Sequence, residues 1–486
     1  MFSRPYRHIR FAARFLVLLC YKVYSPKLID LAEEIVGEYV DGMSLRQLEF
    51  SRQAERLQAY LDGLTEAAGH ADRRIPMENY TKGLMLPIER KSVEPMAARL
   101  APGNVRQMHQ SLHHVVADAA WGDDALLKQV RSQVLPAMTR KHALAAWIVD
   151  DTGFPKKGTH SVGVARQYCG QLGKQDNCRV AVSVSLATEE ASIPAAYRLY
   201  LPEVWANDKK RRKEVGVPKE VSFQTKPDIA LGQIRSLVNE DVPRGVVLAD
   251  AAYGDDSGFR EGLVSLELCY AVGIKSSTTL WPPGIMPLPP RPKGKMGRPP
   301  RLLRRDEQHQ PLTARQLALS LSATDLHKVS WREGTRGMMR SRFAAVPVRV
   351  AHRDYWRKEP HPEQWLLIEW PTGEKEPSKY WLSNLPASIA LRKLVAIAKL
   401  RWRIERDYEE LKQELGLGHF EGRNWRGFHH HATLSIAAYG FLVRERCLFP
   451  PSGNKQPLEA ADIQIRIPPV PFDFKPRGAA RKDRTA

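Results

Sequence analysis

The spacing of apolar positions divides this chain into zones of different period. Over residues 45–140 they recur at helical intervals, as in Leu45, Leu48, Ala54, Leu57, Leu61 and Leu64, which predicts a helical segment. From Ala145 the pattern becomes strand-like. Ala145-Ala-Trp-Ile-Val runs directly into Asp150 and Asp151, Arg179–Ala187 alternates through Val180, Val182 and Val184, and Ala195–Leu201 follows. A helix over Pro227–Asn239 precedes Gly245-Val-Val-Leu-Ala, which ends in Asp250, and Leu268–Ile274 reads as a fifth strand. Near the C-terminus the helical period returns, with Ile397, Leu400, Ile404, Leu411 and Leu415 on one stripe.

Acids stand where these apolar elements end. Two buried strands finish in carboxylates, and the C-terminal ends of strands are where α/β sheets place their sites. An unpaired buried carboxylate is costly, so such an acid calls for a cation or a metal ion. Beside the apolar stripe of the late helix, Arg401, Glu405 and Lys412 stand at i, i+4 and i+11. At roughly 100° per residue they share a stripe about 40° wide. An ordinary amphipathic helix with i, i+4 ion pairs would show the same pattern, and either aspartate alone could be a turn or cap residue. Taken together, two strand-end aspartates and a helix glutamate form a hard-oxygen donor set suited to Mg²⁺ or Mn²⁺. Two such ions can activate a water or a 3′-hydroxyl and stabilise the leaving oxygen of a phosphodiester.

Three blocks carry a family resemblance: Asp-Asp-Thr-Gly-Phe-Pro-Lys-Lys-Gly at 150–158, Leu-Ala-Asp-Ala-Ala-Tyr-Gly at 248–254, and the segment from Arg401 through Leu-Gly-Leu-Gly-His-Phe-Glu-Gly-Arg423. In this order they resemble a bacterial insertion-sequence transposase of the DDE class, over about residues 45–447. The resemblance implies an α/β fold: an RNase H-like mixed sheet with an inserted β-rich domain, preceded by a helical domain. It implies Asp151, Asp250 and Glu405 as catalytic and metal ligands for two Mg²⁺ or Mn²⁺ ions. Related sequences place the first ligand directly before a Thr or Ser, which selects Asp151. Asp150, which points to the opposite face of an extended strand, is the alternative. Arg401 and Lys412 would clamp phosphates, the first as a fork and the second as a point charge; Lys156 and Lys157 would touch DNA. The family's Tyr-x2-Arg-x3-Glu-x6-Lys signature is matched except at the tyrosine, where this chain has Ala398. The implied activity is recognition of terminal inverted repeats of double-stranded DNA, then cleavage and strand transfer, by a homodimer or larger synaptic complex. A nuclease of the same fold without strand transfer, and a non-catalytic basic DNA-binding protein, are the other readings.

Charge agrees with a polyanionic partner: 74 Lys and Arg against 54 Asp and Glu give +20, with a pI near 9.7. Basic residues cluster at Lys209–Lys213 and from Arg291 to Arg305; Lys295–Arg301 resembles a minor-groove Gly-Arg-Pro hook, although a solvated loop would look alike. The 155 positions between Asp250 and Glu405 exceed what an uninterrupted core needs. The organisation expected is a non-core extension over 1–44, a helical DNA-binding domain over 45–140, and the first part of the core over 141–276. A β-rich insertion over 277–385, core helices over 386–447 and a Pro-rich basic tail over 448–486 complete it. Tryptophans 281, 331, 356, 365 and 370 are core residues or platforms for a flipped base. His109, His113 and His114 read as half-buried surface histidines, and His429–His431 as a DNA-facing or structural patch. Five cysteines without paired spacing suit a reducing cytoplasm. The apolar run Phe11–Cys20 imitates a signal peptide but is interrupted by Arg14 and too short to span a bilayer; residues 1–42 read as translation from an upstream start.

Overall fold

The computed structural model describes residues 45–291, 301–334 and 337–450. The expectations for residues 1–44, for the 292–300 part of the basic hook and for the tail beyond 450 lie outside these residues.

Five helices open the described chain: α1 (Leu45–Thr65), α2 (Arg74–Met85), α3 (Val93–Leu100), α4 (Val105–Ala117) and α5 (Asp123–Met138). Four strands follow, β1 (Ala146–Pro155), β2 (Ala165–Cys169), β3 (Lys174–Ala187) and β4 (Ser192–Leu199). Two short helices, α6 (Glu203–Ala206) and α7 (Lys209–Glu214), lead to α8 (Lys226–Asn239), which Thr225 and Asp228 start with a reciprocal capping box. Then come β5 (Val246–Ala249), α9 (Ala251–Gly254), α10 (Ser257–Ser265) and β6 (Tyr270–Ile274).

These strands form the RNase H-like sheet. Reading across, β4–β3–β1 are antiparallel, and β1–β5–β6 are parallel. The central strands are buried on both faces, as apolar runs such as Trp147–Val149 and Val247–Ala249 require. Strand β2, which the sequence pattern did not reveal, pairs with the first half of β3.

The insertion supplies β7 (Thr279–Trp281), β8 (Leu312–Thr313), α11 (Ala314–Leu319), β9 (His327–Gly334), β10 (Gly337–Val350), β11 (Glu363–Trp370) and β12 (Lys379–Ser383). It is β-rich, as expected, yet it is no detached lobe. Strand β12 pairs antiparallel with β6, so the inserted strands prolong the core sheet to twelve strands in the order β2-β3-β1-β5-β6-β12-β11-β10-β7-β8. Strand β4 pairs with β3, and β9 with β10, off that path.

Helices α12 (Leu391–Lys399), α13 (Trp402–Gln413) and α14 (Trp425–Leu448) complete the fold. Helix α14 is buried on all sides from Gly427 to Val443, the expected fate of a helix apolar all round. It packs on α2, α4, α5 and β4. Gly440 permits the approach: a Cβ there would meet the Tyr60 hydroxyl at 2.8 Å. Residues 45–140 therefore wrap the C-terminal helix and share one core with the sheet. Among the described residues no helix is long and apolar enough to cross a membrane.

The histidine triplet belongs to this core. His431 accepts from the Tyr80 hydroxyl at Nδ1 (2.9 Å), which leaves Nε2–H to donate to the Gly416 carbonyl (2.9 Å). His429 accepts the Leu199 N–H at Nε2 and donates from Nδ1 to the Trp425 carbonyl. His430 stacks on Trp121 at 3.6 Å. Burial lowers all three to about 4. The patch is structural, and none of it faces DNA. At the other expected histidine group, His109 is half-buried, whereas His113 and His114 are exposed.

Candidate active site

Strands β1 and β5 run parallel with Ala146 opposite Val246 and Ile148 opposite Leu248. Continued two residues, that register brings Asp150 beside Asp250, on the same side of the sheet. Asp250 caps α9, its Oδ1 accepting the Ala252 N–H at 2.9 Å. Two glycines make room for this cap. A Cβ at Gly254 would lie 2.1 Å from the Gly273 carbonyl oxygen, and one at Gly273 would lie 2.9 Å from the Ala251 nitrogen. The Gly254 of the Leu-Ala-Asp-Ala-Ala-Tyr-Gly block is thus a packing requirement directly behind Asp250.

The third acid arrives from α13. The expected continuous helix is broken at Leu400 and Arg401, between α12 and α13, and Arg401 turns into the cluster. Its Nη2 lies 2.9 Å from Asp150 Oδ2 and 3.8 Å from Asp250 Oδ2, and its Nη1 lies 3.1 Å from Glu405 Oε1. One guanidinium thus faces three carboxylates. Asp150 is the innermost, its side chain 15% exposed against 66% for Glu405. Burial drives its carboxyl up to about 7; Arg401 opposes the rise, while Asp250 and Asp151 add to it. The Asp151 N–H donates to Asp150 Oδ1 at 2.9 Å.

Asp151 turns to the other face of β1. Its Oδ2 is 2.8 Å from Lys226 Nζ, at the start of α8, and accepts the Tyr253 hydroxyl at 3.4 Å. The structure therefore gathers Asp150, Asp250, Glu405 and Arg401, and sets Asp151 apart with Lys226 and Tyr253. Lys226 escaped the sequence reading because nothing local marks it as a partner of β1. Tyr253 lay in a quoted block, but its orientation depends on the α9 turn.

The lysines are occupied by the chain itself. Lys412 donates to the Gly153 carbonyl at 2.9 Å and to Gln171 at 3.3 Å, above the Phe154 ring. Lys156 donates to the Phe420 carbonyl at 2.9 Å. Burial lowers each to about 8. Lys157 is exposed. In the Lys209–Lys213 cluster, Arg211 stacks on Trp205 at 3.7 Å and Arg212 donates to the carbonyls of Ala206, Pro218 and Val221, leaving the lysines outward.

Among the described residues, no group of three or more His, Cys, Asp or Glu side chains is arranged to hold a metal ion. The chemistry of the donors nevertheless suits a hard divalent cation: three carboxylates converge, one largely buried, around a single positive group.

Comparison with known proteins agrees with this architecture. Residues 59–338 match the family model described as DDE superfamily endonuclease, a span that contains β1, β5 and both aspartate blocks and stops short of Glu405. A probable transposase for insertion sequence element IS701, from Microchaete diplosiphon, is 31% identical over 198 residues. That stretch covers 40% of this chain and 47% of the relative, so the chain spans about half the length of the curated protein it matches. With more than half of its length under the family model and the RNase H-like sheet beneath it, the chain belongs to the DDE superfamily of endonucleases.

Proposed function

We propose that this protein is a DNA transposase that binds the terminal inverted repeats of an insertion sequence and catalyses metal-dependent cleavage and strand transfer. The observation that carries the reading is the convergence of Asp150, Asp250 and Glu405, from the middle of β1, the end of β5 and a helix, on one guanidinium; β1 runs on past Asp150 to Pro155 instead of ending there. We take Asp150 as the first ligand in place of Asp151, because the β1–β5 register sets it beside Asp250 while Asp151 is engaged with Lys226. Asp150, Asp250 and Glu405 would hold Mg²⁺ or Mn²⁺; two such ions supply Lewis acidity to an attacking oxygen and neutralise charge on a departing one.

The other roles follow from charge and position. Arg401 neutralises and orients the acids and offers its fork to a phosphate that enters beside them. Lys412 fixes the outer half of β1 through the Gly153 carbonyl, and Lys156 ties the loop after β1 to the Phe420 segment. Lys157 and the outward lysines of α7 meet the DNA backbone. Two copies of the chain would hold the two element ends.

The test is cleavage and joining of DNA carrying the ends that flank this gene, in Mg²⁺ with and without EDTA. Wild type is compared with Asp150→Asn, Asp151→Asn and Glu405→Gln. The expected result is cleaved and joined product from wild type, none from Asp150→Asn or Glu405→Gln, and residual product from Asp151→Asn. Activity in Asp150→Asn but not Asp151→Asn would reverse the choice of ligand. Cleavage without joining would make the protein a nuclease, and an active Glu405→Gln would remove α13 from the chemistry.

A further inference from the structure

Lys399 is the last residue of α12, two positions before Arg401. Its side chain leaves the core helices and enters the insertion, where it meets one residue from each of four neighbouring strands. Its ammonium lies 2.5 Å from Glu369 on β11, 4.5 Å from the Trp331 ring centroid on β9, 5.5 Å from that of Phe343 on β10 and 5.3 Å from that of Trp381 on β12. Phe343 stands directly opposite Glu369 in the β10–β11 register, so the aromatic wall and the acid are one cross-strand unit. Only 14% of the Lys399 side chain and 8% of Glu369 are exposed, which shields the pair from solvent screening. A second contact runs the opposite way. Arg332, adjacent to Trp331 on β9, places its guanidinium 4.3 Å from the ring of Trp402, the first residue of α13. The α12–α13 junction is thus gripped by the insertion on both sides of Arg401.

We propose that Lys399 is a positioning residue, through which the inserted strands fix the direction in which Arg401 and Glu405 meet the two aspartates. This rests on the assignment of Glu405 and Asp150 to the reacting centre. It gives the insertion a second task besides any contact with DNA: the core holds α13 further along, through Ser192 to Asp407 and Ser183 to Tyr408, while the insertion holds the turn that precedes it. Leu400 and Arg401 keep right-handed helical dihedrals but stand between the end of α12 and the start of α13, so the direction of the junction depends on what holds its two sides. An ion pair enclosed by three rings has one good geometry, and it passes that geometry to the next turn of the chain.

The experiment uses the full chain and two separate readouts. The first is hydrogen exchange of the amides of α13 in EDTA, which needs no activity. The second is single-turnover nicking of a supercoiled plasmid carrying the DNA that flanks this gene, in Mn²⁺. The variants are Lys399→Met, Lys399→Arg, Trp331→Leu, the double Lys399→Met/Glu369→Gln, which avoids leaving a buried unpaired acid, and the double Lys399→Met/Trp331→Leu. Expected are faster exchange in α13 with β10 and β11 still protected, and a nicking rate down about 10²-fold at saturating DNA with DNA affinity held, the scale of a misplacement near 1 Å. Lys399→Arg, which keeps both the charge and the ring contact, should retain most of the rate. Trp331→Leu should show the same defect as Lys399→Met, and the double of these two should be no worse than either. Unchanged exchange in α13, or losses that add and track the melting temperature alone, would overturn the proposal. If wild type fails to nick, or Glu405→Gln nicks, the functional reading fails while the exchange data still decide for or against Lys399.

Discussion

Replacing Arg401 by Met tests the electrostatics of the acid cluster most directly. At 2.9 Å from Asp150 Oδ2, the guanidinium attracts that carboxylate by about 6 kcal/mol at an effective dielectric constant near 20, before desolvation is counted. Glu405 is largely exposed and contributes little. With Arg401 present, Asp150 already titrates near 7, well above the 3.8 of an unperturbed carboxyl. An acid raised in the fold carries a proton that the unfolded chain has lost, so stability falls as pH rises between those two values and then levels off above 7. Without Arg401 the folded-state value rises further, and the decline continues past 7. In EDTA at pH 6 both proteins hold a protonated Asp150. The variant should then lose only about 1 kcal/mol, the worth of a hydrogen bond. Each further pH unit above 7 should widen the gap by about 1.4 kcal/mol, to roughly 4 kcal/mol at pH 9. Urea unfolding at pH 6, 7, 8 and 9 reads this difference. Saturating Mn²⁺ at pH 8 should narrow the gap, since a cation that binds only the folded state binds the acids more tightly when no guanidinium competes for them, and each tenfold in affinity adds about 1.4 kcal/mol. Stability curves that stay parallel from pH 6 to 9 would refute the pairing of Arg401 with a buried, elevated Asp150.

Other outcomes follow from single contacts. Gly254→Ala should cost about 1–3 kcal/mol through overpacking and abolish cleavage, because the new methyl meets the Gly273 carbonyl behind Asp250; urea unfolding and the DNA assay check both. His431, lowered to about 4 by burial, contributes stability that is present above 6.5 and is lost as pH falls toward 4, about 3 kcal/mol in all. In His431→Gln the slope of stability against pH between 4.5 and 6 should lose about one proton relative to wild type, read by denaturant midpoints. Leu434→Ala in α14 should cost about 2–5 kcal/mol, since that side chain is fully buried, and should unfold the helical segment and the sheet in one transition when followed by two probes.

Much of this was legible because strand pattern and buried charge are local signals. The apolar runs that lead into Asp150 and Asp250 mark β1 and β5, and the stripe marks α13, although β1 continues past its acids to Pro155 because β3 goes on pairing with it. The choice between Asp150 and Asp151 was harder. Adjacent residues on a strand differ only in the face they occupy, and the face is set by the partner strand a hundred positions away. Lys412 was read as a phosphate clamp from its place on the helix; the Gly153 carbonyl that accepts from it became visible only once β1 was laid against α13. The 155 positions between Asp250 and Glu405 called for an insertion, but its fusion to β6 through β12 is a hydrogen-bond register, and no composition encodes that. The histidine triplet left a DNA-facing and a structural reading open; helix α14 decides for the second by burying each ring against a partner.

The break at Arg401 also has a consequence for how the molecule comes into being. Asp150 and Asp250 precede the insertion in the chain, whereas Arg401 and Glu405 follow it. Until the chain reaches Arg401, Asp150 lacks the guanidinium that favours its charged form. The turn at residues 400–401 therefore does two things in one step: it brings the third acid and it favours the charged form of the first. A polypeptide that stops within the insertion would lack the third acid, the guanidinium and the helix α14 around which residues 45–140 pack, so the acid cluster and the core beneath it are completed by the same C-terminal segment.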